Sequence, residues 1–206
     1  MSQAVVYVVD DDESMCRALS RLMRSVGLEV RTFPSAQAFL EHPAPDRPAC
    51  LVLDVRLPGP SGLDLQSALS QAQRDLPIVF ITGHGTVPTS VRAMKGGAVD
   101  FLEKPFHDQE LLDCVQRALQ RSREARADRA ERAEIEGCLR ALTPRERDVL
   151  MLVVVGMLNK QIADKLGIAE KTIKVHRGRV MQKMQANSVA DLVRMTERLG
   201  PQPTRR

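Results

Sequence analysis

The sequence has no run of apolar residues approaching the roughly 18 that a membrane-spanning helix needs. Its first residues, MSQAVVYVVDDDE, reach acidic side chains before any signal-type cleavage site. A membrane protein is therefore not indicated, and a cytoplasmic location is expected. The four cysteines, Cys16, Cys50, Cys114 and Cys138, are scattered without CxxC or Cys/His spacing, which argues against a disulfide framework and against a zinc site. Each is expected to serve as a small core hydrophobe. Internal repeats and low-complexity tracts are missing too. What is left is a chain of 206 residues, 43% hydrophobic, long enough for one large domain or two small ones with real cores.

The net charge of +4 conceals an asymmetry. Residues 1–120 hold 15 Asp and Glu against 11 Lys and Arg, residues 138–206 hold 6 against 14, and the stretch between is balanced at 5 and 5. An acidic front and a basic tail suggest that only the tail meets a polyanion. The front half alternates short β-rich runs, at 5–9, 29–33, 50–53, 78–82 and 99–102, with helical patterns, which predicts a five-stranded parallel sheet in a doubly wound α/β domain. Met15, Ala18, Leu19, Leu22, Met23 and Val26 repeat at helical spacing until Gly27. Thr86 with Pro88 opens a further helix that ends at Gly96 and Gly97. From Asp108 a stripe of Leu111, Leu112, Val115 and Leu119 leads into RSREARADRAERAEIEG, whose interleaved charges predict a helical linker over 121–137. Beyond it, Thr143-Pro144-Arg145-Glu146 is a capping box with Pro in the first turn. Asn159 is a candidate cap for a helix through Leu166, ended by Gly167, and helices are expected over 170–184 and 188–198. These make an all-α four-helix unit of helix-turn-helix proportions.

Ligands of doubly wound domains bind at the carboxyl ends of the strands. There the sequence puts Asp10-Asp11-Asp12, Asp54, Thr82 and Lys104-Pro105. Crowded carboxylates repel, and a hard divalent cation held through oxygen relieves the repulsion. A carboxylate beside Mg²⁺, a lysine and a hydroxyl is equipped to take a phosphoryl group, because positioning and charge neutralisation do most of that chemistry. Taken alone, Asp11 and Asp12 could equally cap the first helix.

The segments VVDDDE, LVLDVRLPGPSG, IVFITGHG and DFLEKPF resemble the flavodoxin-like receiver domains of two-component response regulators, over 3–120. The resemblance implies that Asp54 accepts phosphate from a sensor histidine kinase. It implies that Asp11, Asp54 and the Arg56 backbone carbonyl bind Mg²⁺ (or Mn²⁺), that Asp10 assists through water, and that Thr82 and Lys104 hold the phosphoryl oxygens. Lys104-Pro105 would be a cis peptide. Phe101 stands where receivers carry an aromatic that turns inward once Thr82 moves, or it is ordinary core. Arg56 and His84, two residues past Asp54 and Thr82, occupy positions that influence phosphoryl lifetime. Arg56 there either stabilises phosphate or obstructs water, and His84 is equally readable as a solvated loop residue.

On the helix over 170–184 a wheel puts Ile173, Val180 and Met184 on one side and Lys171, Lys174, Val175, Gly178 and Gln182 on the other. Outward lysines are commonly just a solvated surface, but an exposed valine among them can pack on a thymine methyl. Thr172, His176 and Arg179 flank that face at positions suited to phosphates. The segment LTPRERDVLMLVVVGMLNKQIADKLGIAEKTIKVHRGRVMQKM resembles the LuxR-type DNA-binding domain. Joined to a receiver, it is similar to the NarL/FixJ regulators, FixJ branch. The resemblance makes Lys174 and Val175 the base contacts, while Gly178 stands where relatives often carry a larger side chain and Ala169 where a Ser or Thr cap is common. Val189, Leu192, Val193 and Thr196 form a stripe that either contributes the DNA-bound dimer contact or closes the small core.

The expected organisation is a receiver at 1–120, a linker at 121–137 and a DNA-binding domain at 138–206. The expected function is a phosphorylation-activated transcription regulator, not an enzyme beyond its own phosphotransfer and dephosphorylation. Its partners would be a histidine kinase, promoter DNA, RNA polymerase and a second copy of itself, formed on phosphorylation or on DNA, with no membrane. A metal-dependent hydrolase would need a substrate-binding element that the basic tail does not supply. A phosphate-independent interaction module would not need the full set Asp10, Asp11, Asp54, Thr82 and Lys104.

Overall fold

Each of the five β-rich runs forms a strand: β1 (Val5–Val9), β2 (Glu29–Phe33), β3 (Ala49–Asp54), β4 (Ile78–Thr82) and β5 (Asp100–Glu103). They pair in parallel in the order β2-β1-β3-β4-β5. The computed structural model describes residues 4–83 and 85–200, and the chain divides into two units, Met1–Arg126 and Ala127–Arg206. In the first unit the strands alternate with α1 (Glu13–Ser25), α2 (Ala36–Leu40), α3 (Gly62–Gln71), α4 (Val87–Lys95) and the first part of α5 (Asp108–Arg140). The sheet separates two cores. Val6, Val8, Val52 and Ile81 join Leu19, Met23, Leu111 and Val115 on one face. Val9, Leu51, Leu53 and Phe80 join Phe39, Leu65 and Leu69 on the other. This double burial explains why β1, β3 and β4 are continuous apolar runs instead of alternating ones. Each fully buried Leu, Ile or Phe adds roughly 1.5–3 kcal/mol relative to an exposed position.

The helix ends follow from local chemistry. Asp12 caps α1 by accepting from the Ser14 N–H at 2.8 Å, and Gly27, at φ 79°, takes the left-handed turn that stops it. Thr86 caps α4, with Pro88 in its first turn. Helix α5 runs unbroken for 33 residues through the charged segment 121–137. Strand boundaries shift by one residue from the expected 50–53 and 99–102, to Ala49–Asp54 and Asp100–Glu103. Cys16, Cys50 and Cys114 are buried and Cys138 is partly so; burial pushes the Cys114 thiol up to about 11, which keeps it an unreactive hydrophobe.

The second unit holds the end of α5 and α6 (Pro144–Val154), α7 (Asn159–Leu166), α8 (Glu170–Lys183) and α9 (Val189–Arg198). Ile135, Val149, Leu150, Val153, Ile162, Ile173, Val180, Met184 and Leu192 make its core. The expected Asn159 cap is corrected. Leu158 holds the cap position, and its N–H donates to Gln161 Oε1 at 2.8 Å. Asn159 is already inside the helix, where its Oδ1 accepts from Arg177 Nη1 at 3.0 Å, so its amide joins α7 to α8. Gly167, at φ 65°, ends α7 as expected. Among the described residues no helix is long and apolar enough to cross a membrane.

The capping box at the start of α6 extends into a buried ion pair. Glu146 is 1% exposed. Its Oε2 accepts from Lys183 Nζ at 2.6 Å and from the Thr143 N–H at 2.9 Å. The Lys183 ammonium first, and the Thr143 N–H next, hold the carboxyl down from its ordinary 4.5 to about 2. A carboxyl depressed by folding adds stability above its ordinary pKa and loses it as pH falls toward the folded value. Glu146→Gln should therefore be less stable than the parent at pH 6, and the deficit should shrink between pH 5 and 2, as denaturant unfolding across that range will show.

Candidate functional site

Parallel register aligns the carboxyl ends of the strands. Val9 pairs with Leu53, Asp54 with Ile81, and Thr82 with Glu103, so Asp10, Asp54, Thr82 and Lys104 follow one another across the top of the sheet. The Lys104 N–H donates to the Thr82 carbonyl at 2.7 Å, and the Lys104-Pro105 bond is cis. The Lys104 ammonium donates to Asp54 Oδ2 at 2.6 Å and Asp10 Oδ2 at 2.8 Å. The remaining oxygens are also bound: Asp54 Oδ1 accepts from the Arg56 N–H, and Asp10 Oδ1 from the Asp12 N–H, both at 2.8 Å.

Of the three consecutive acids, Asp12 is the helix cap and Asp11 is not. Asp11 is exposed, and ligand oxygens of Asp10, Asp11 and Asp54 lie within 4.8 Å of one another. At that separation two carboxylates repel by about 3 kcal/mol for an effective dielectric near 20. One lysine cannot offset three such charges. Burial pushes the Asp10 carboxyl up, against the hydrogen bonds from Lys104 and Asp12. Burial opposes the Lys104 charge as well, but its bonds to Asp10 and Asp54 outweigh that and raise its pKa. An all-oxygen cluster with surplus negative charge suits a hard divalent cation. Asp10 and Asp54 each have both oxygens engaged by hydrogen bonds, whereas Asp11 is exposed.

Thr82 is fully buried and Phe101 half-buried. The Phe101 ring lies 6.3 Å from that of Phe80 and borders the loop after β4, where a Cβ on Gly85 would come within 3.3 Å of it. His84 lies outside the described residues. Gly62, to which the sequence reading gave no role of its own, opens α3 directly against the pocket strand. Its N–H donates to the Val55 carbonyl at 3.0 Å, and a Cβ there would fall 2.3 Å from the Asp54 carbonyl oxygen.

In the second unit, α8 buries Ile173 and Val180. Lys171, Thr172, Lys174, Gly178, Arg179 and Gln182 are exposed, as is Val175 at 48%. His176 is half-buried, its Nδ1 buried without a partner among the described residues. A Cβ on Gly178 would meet nothing, so the backbone is bare there. No side chain caps α8, as Ala169 implied. Arg177, to which the sequence gave no role, fixes α8 to the first residue of α7; its alternation with exposed lysines gave no signal of that. On α9, Leu192 is core and Val189 packs beside it, while Val193 and Thr196 are half-buried.

Residues 6–116 match the response regulator receiver domain family, and 140–196 the luxR family of bacterial regulatory proteins. The chain is 55% identical to nodulation protein W of Bradyrhizobium diazoefficiens over 199 residues, 97% of this chain and 88% of that one. It is 43% identical to the transcriptional regulatory protein FixJ of the same species, over 95% of each. Among solved structures, the response regulator StyR superposes with a TM-score of 0.86 at 49% identity, covering 95% of this chain and 99% of StyR. Full-length FixJ gives 0.59 at 42% identity, covering 97% and 98%.

The two glycines make opposite predictions. Gly62→Ala should lose roughly 1–3 kcal/mol by overpacking against the Asp54 backbone. Gly178→Ala should gain roughly 0.5–1 kcal/mol by removing a mid-helix glycine from open space. Thermal unfolding of the two variants beside the parent tests both.

Proposed function

The chain belongs to the response regulators that join a receiver domain to a LuxR-type DNA-binding domain, and from that premise we propose that phosphorylation of Asp54 controls its binding to promoter DNA. The receiver spans 1–120, the DNA-binding domain 138–206, and helical residues 121–137 join them. The observation that carries the reading is the Lys104 ammonium shared between Asp54 and Asp10 at 2.6 and 2.8 Å, beside Asp11 and Thr82.

The phosphoryl donor is a phosphohistidine of a sensor histidine kinase. Its P–N bond breaks as an Asp54 carboxylate oxygen forms the new P–O bond, and the leaving imidazole takes up a proton. Asp11, Asp54 and the Arg56 carbonyl would hold Mg²⁺ (or Mn²⁺), with Asp10 assisting through water, and the ion would supply positive charge against the acids and the phosphoryl oxygens. Lys104 exchanges its carboxylate contact for a phosphoryl oxygen, and the Thr82 hydroxyl binds another. Phe101 follows Thr82 inward. Beyond phosphotransfer and dephosphorylation of Asp54 the chain performs no catalysis.

Receiver pairing through α4 and β5 is supported by Val87, Val91 and Met94, exposed at 77, 45 and 46% in a stripe along α4. Two half-sites multiply the specificity that one recognition helix can supply. On DNA, Lys174 and Val175 read bases and the bare backbone at Gly178 permits close approach. Lys171, Thr172, His176 and Arg179 serve phosphates, and the α9 stripe extends the dimer. Such a regulator works in the cytoplasm and hands its signal to RNA polymerase.

Incubation with a small phosphodonor and Mg²⁺ should add one phosphoryl group by intact mass and none in Asp54→Asn; label persisting in that variant would overturn the assignment. On DNA, Lys174→Ala should lose roughly 1–3 kcal/mol at the preferred site and little on scrambled duplex. Arg179→Ala should weaken both alike and lower the salt slope by about one per half-site. Titrations of the full chain across a salt series separate the two, and equal loss on both duplexes for Lys174→Ala would make it a phosphate contact.

A further inference from the structure

Away from the acidic pocket, the β2 edge of the sheet carries a second polar cavity, of about 510 Å³. It is lined by Tyr7, Arg31 and residues 42–47 of the α2–β3 loop. The β1–β2 register sets Tyr7 beside Arg31. Tyr7 is 3% exposed, its ring held against Phe33, Phe39 and His42 at centroid distances of 6.0, 5.5 and 5.5 Å. Its side chain contributes to the lining of the cavity. Burial pushes the phenol's pKa up, against the pull of Arg31 and Arg47.

The Arg31 guanidinium beside it is oriented and keeps donors in reserve. One oxygen of Glu29, Oε1, accepts from Arg31 Nε at 3.2 Å and from Arg47 Nη2 at 2.6 Å. Arg31 Nη1 lies 3.2 Å from His42 Nε2. A guanidinium has five N–H groups in a fixed fork, so Arg31 keeps donors for a ligand, and its side chain is 47% exposed. The opposite wall is stiff. Pro43, Pro45 and Pro48 punctuate the loop, each fixing φ. Arg74 donates to the Leu40 and His42 carbonyls at 3.4 and 3.2 Å. Ser122 accepts the Ala49 N–H at 3.1 Å, and Arg126 donates to the Pro45 and Asp46 carbonyls. Side chains from three places in the fold thus hold the cavity in one shape before anything enters it.

We propose that this cavity binds a small organic carboxylate, whose oxygens accept from the Arg31 guanidinium and the Tyr7 hydroxyl. The guanidinium fork matches a planar carboxylate. The volume suits an organic ligand, since such sites occupy about 300–1,000 Å³. Glu29 and Asp46 flank the cations, and they repel a doubly charged phosphate more than a singly charged carboxylate. The site shares no residue with the acidic pocket and stands or falls apart from it.

The test is NMR titration of the full chain with acetate, succinate, benzoate and inorganic phosphate at constant ionic strength. At least one carboxylate should give saturable shifts confined to Tyr7, Arg31 and 42–47. Its affinity should fall about tenfold in Arg31→Gln, the scale of a lost hydrogen bond to charge. It should also fall in Tyr7→Phe, which keeps the ring and gives a second reading should Arg31→Gln fail to fold. No saturable shift with any carboxylate would overturn the proposal, as would shifts undiminished in Tyr7→Phe. Equal affinity for inorganic phosphate would overturn the assigned class.

Discussion

One ammonium group organises the first unit. Lys104 lies 94 residues from Asp10 and 50 from Asp54, yet its Nζ bonds both. That contact exists only if β1, β3, β4 and β5 are parallel, in register and in the observed order, because each strand must deliver its carboxyl end to the same place. The cores on either face of the sheet supply the stability that tolerates the result, three acids crowded round one base. Truncating such a buried charge strands its partners and destabilises far more than the pair itself stabilises. The pocket is thus held together by the sheet and held under electrostatic stress by its own composition, a condition suited to a site whose charge is meant to change.

Much of this was legible in the sequence, for identifiable reasons. Strands buried on both faces need uninterrupted Val, Ile and Leu, and the runs at 5–9 and 78–82 announce themselves. Glycine after α1 and the Thr143-Pro144 start of α6 each serve one backbone geometry, so they mark boundaries in advance. The split of the acid triplet was not legible, because Asp11 and Asp12 are identical in composition and differ only in which way the turn points them. Asn159 was misread for a similar reason. An amide favours a cap, but here the Gln161 side chain serves the N–H of Leu158, and Asn159 is claimed by Arg177 from another helix. Gly62 carried no signal of its own, because what presses it against the Asp54 carbonyl is a tertiary contact. The cavity at the β2 edge left no motif at all; its parts come from β1, β2 and a loop.

The second unit follows a different economy. Its helices are short, and α8 must present a polar face while burying only Ile173, Val180 and the neighbouring Met184. The Glu146–Lys183 pair and the Arg177–Asn159 bond fix the end and the middle of α8 to other helices. The helix is therefore anchored by groups other than its exposed Lys174 and Val175, which share in that rigidity.

Tyr7 has one more consequence. The chain contains no tryptophan and one tyrosine, so a single ring, packed beneath the edge strand of the first unit, supplies the tyrosine emission of the whole protein. The helical unit is silent in that channel. The native protein thus carries an intrinsic fluorophore at one known address, and a tryptophan introduced anywhere in residues 127–200 would be a second, spectrally separate one, free of background.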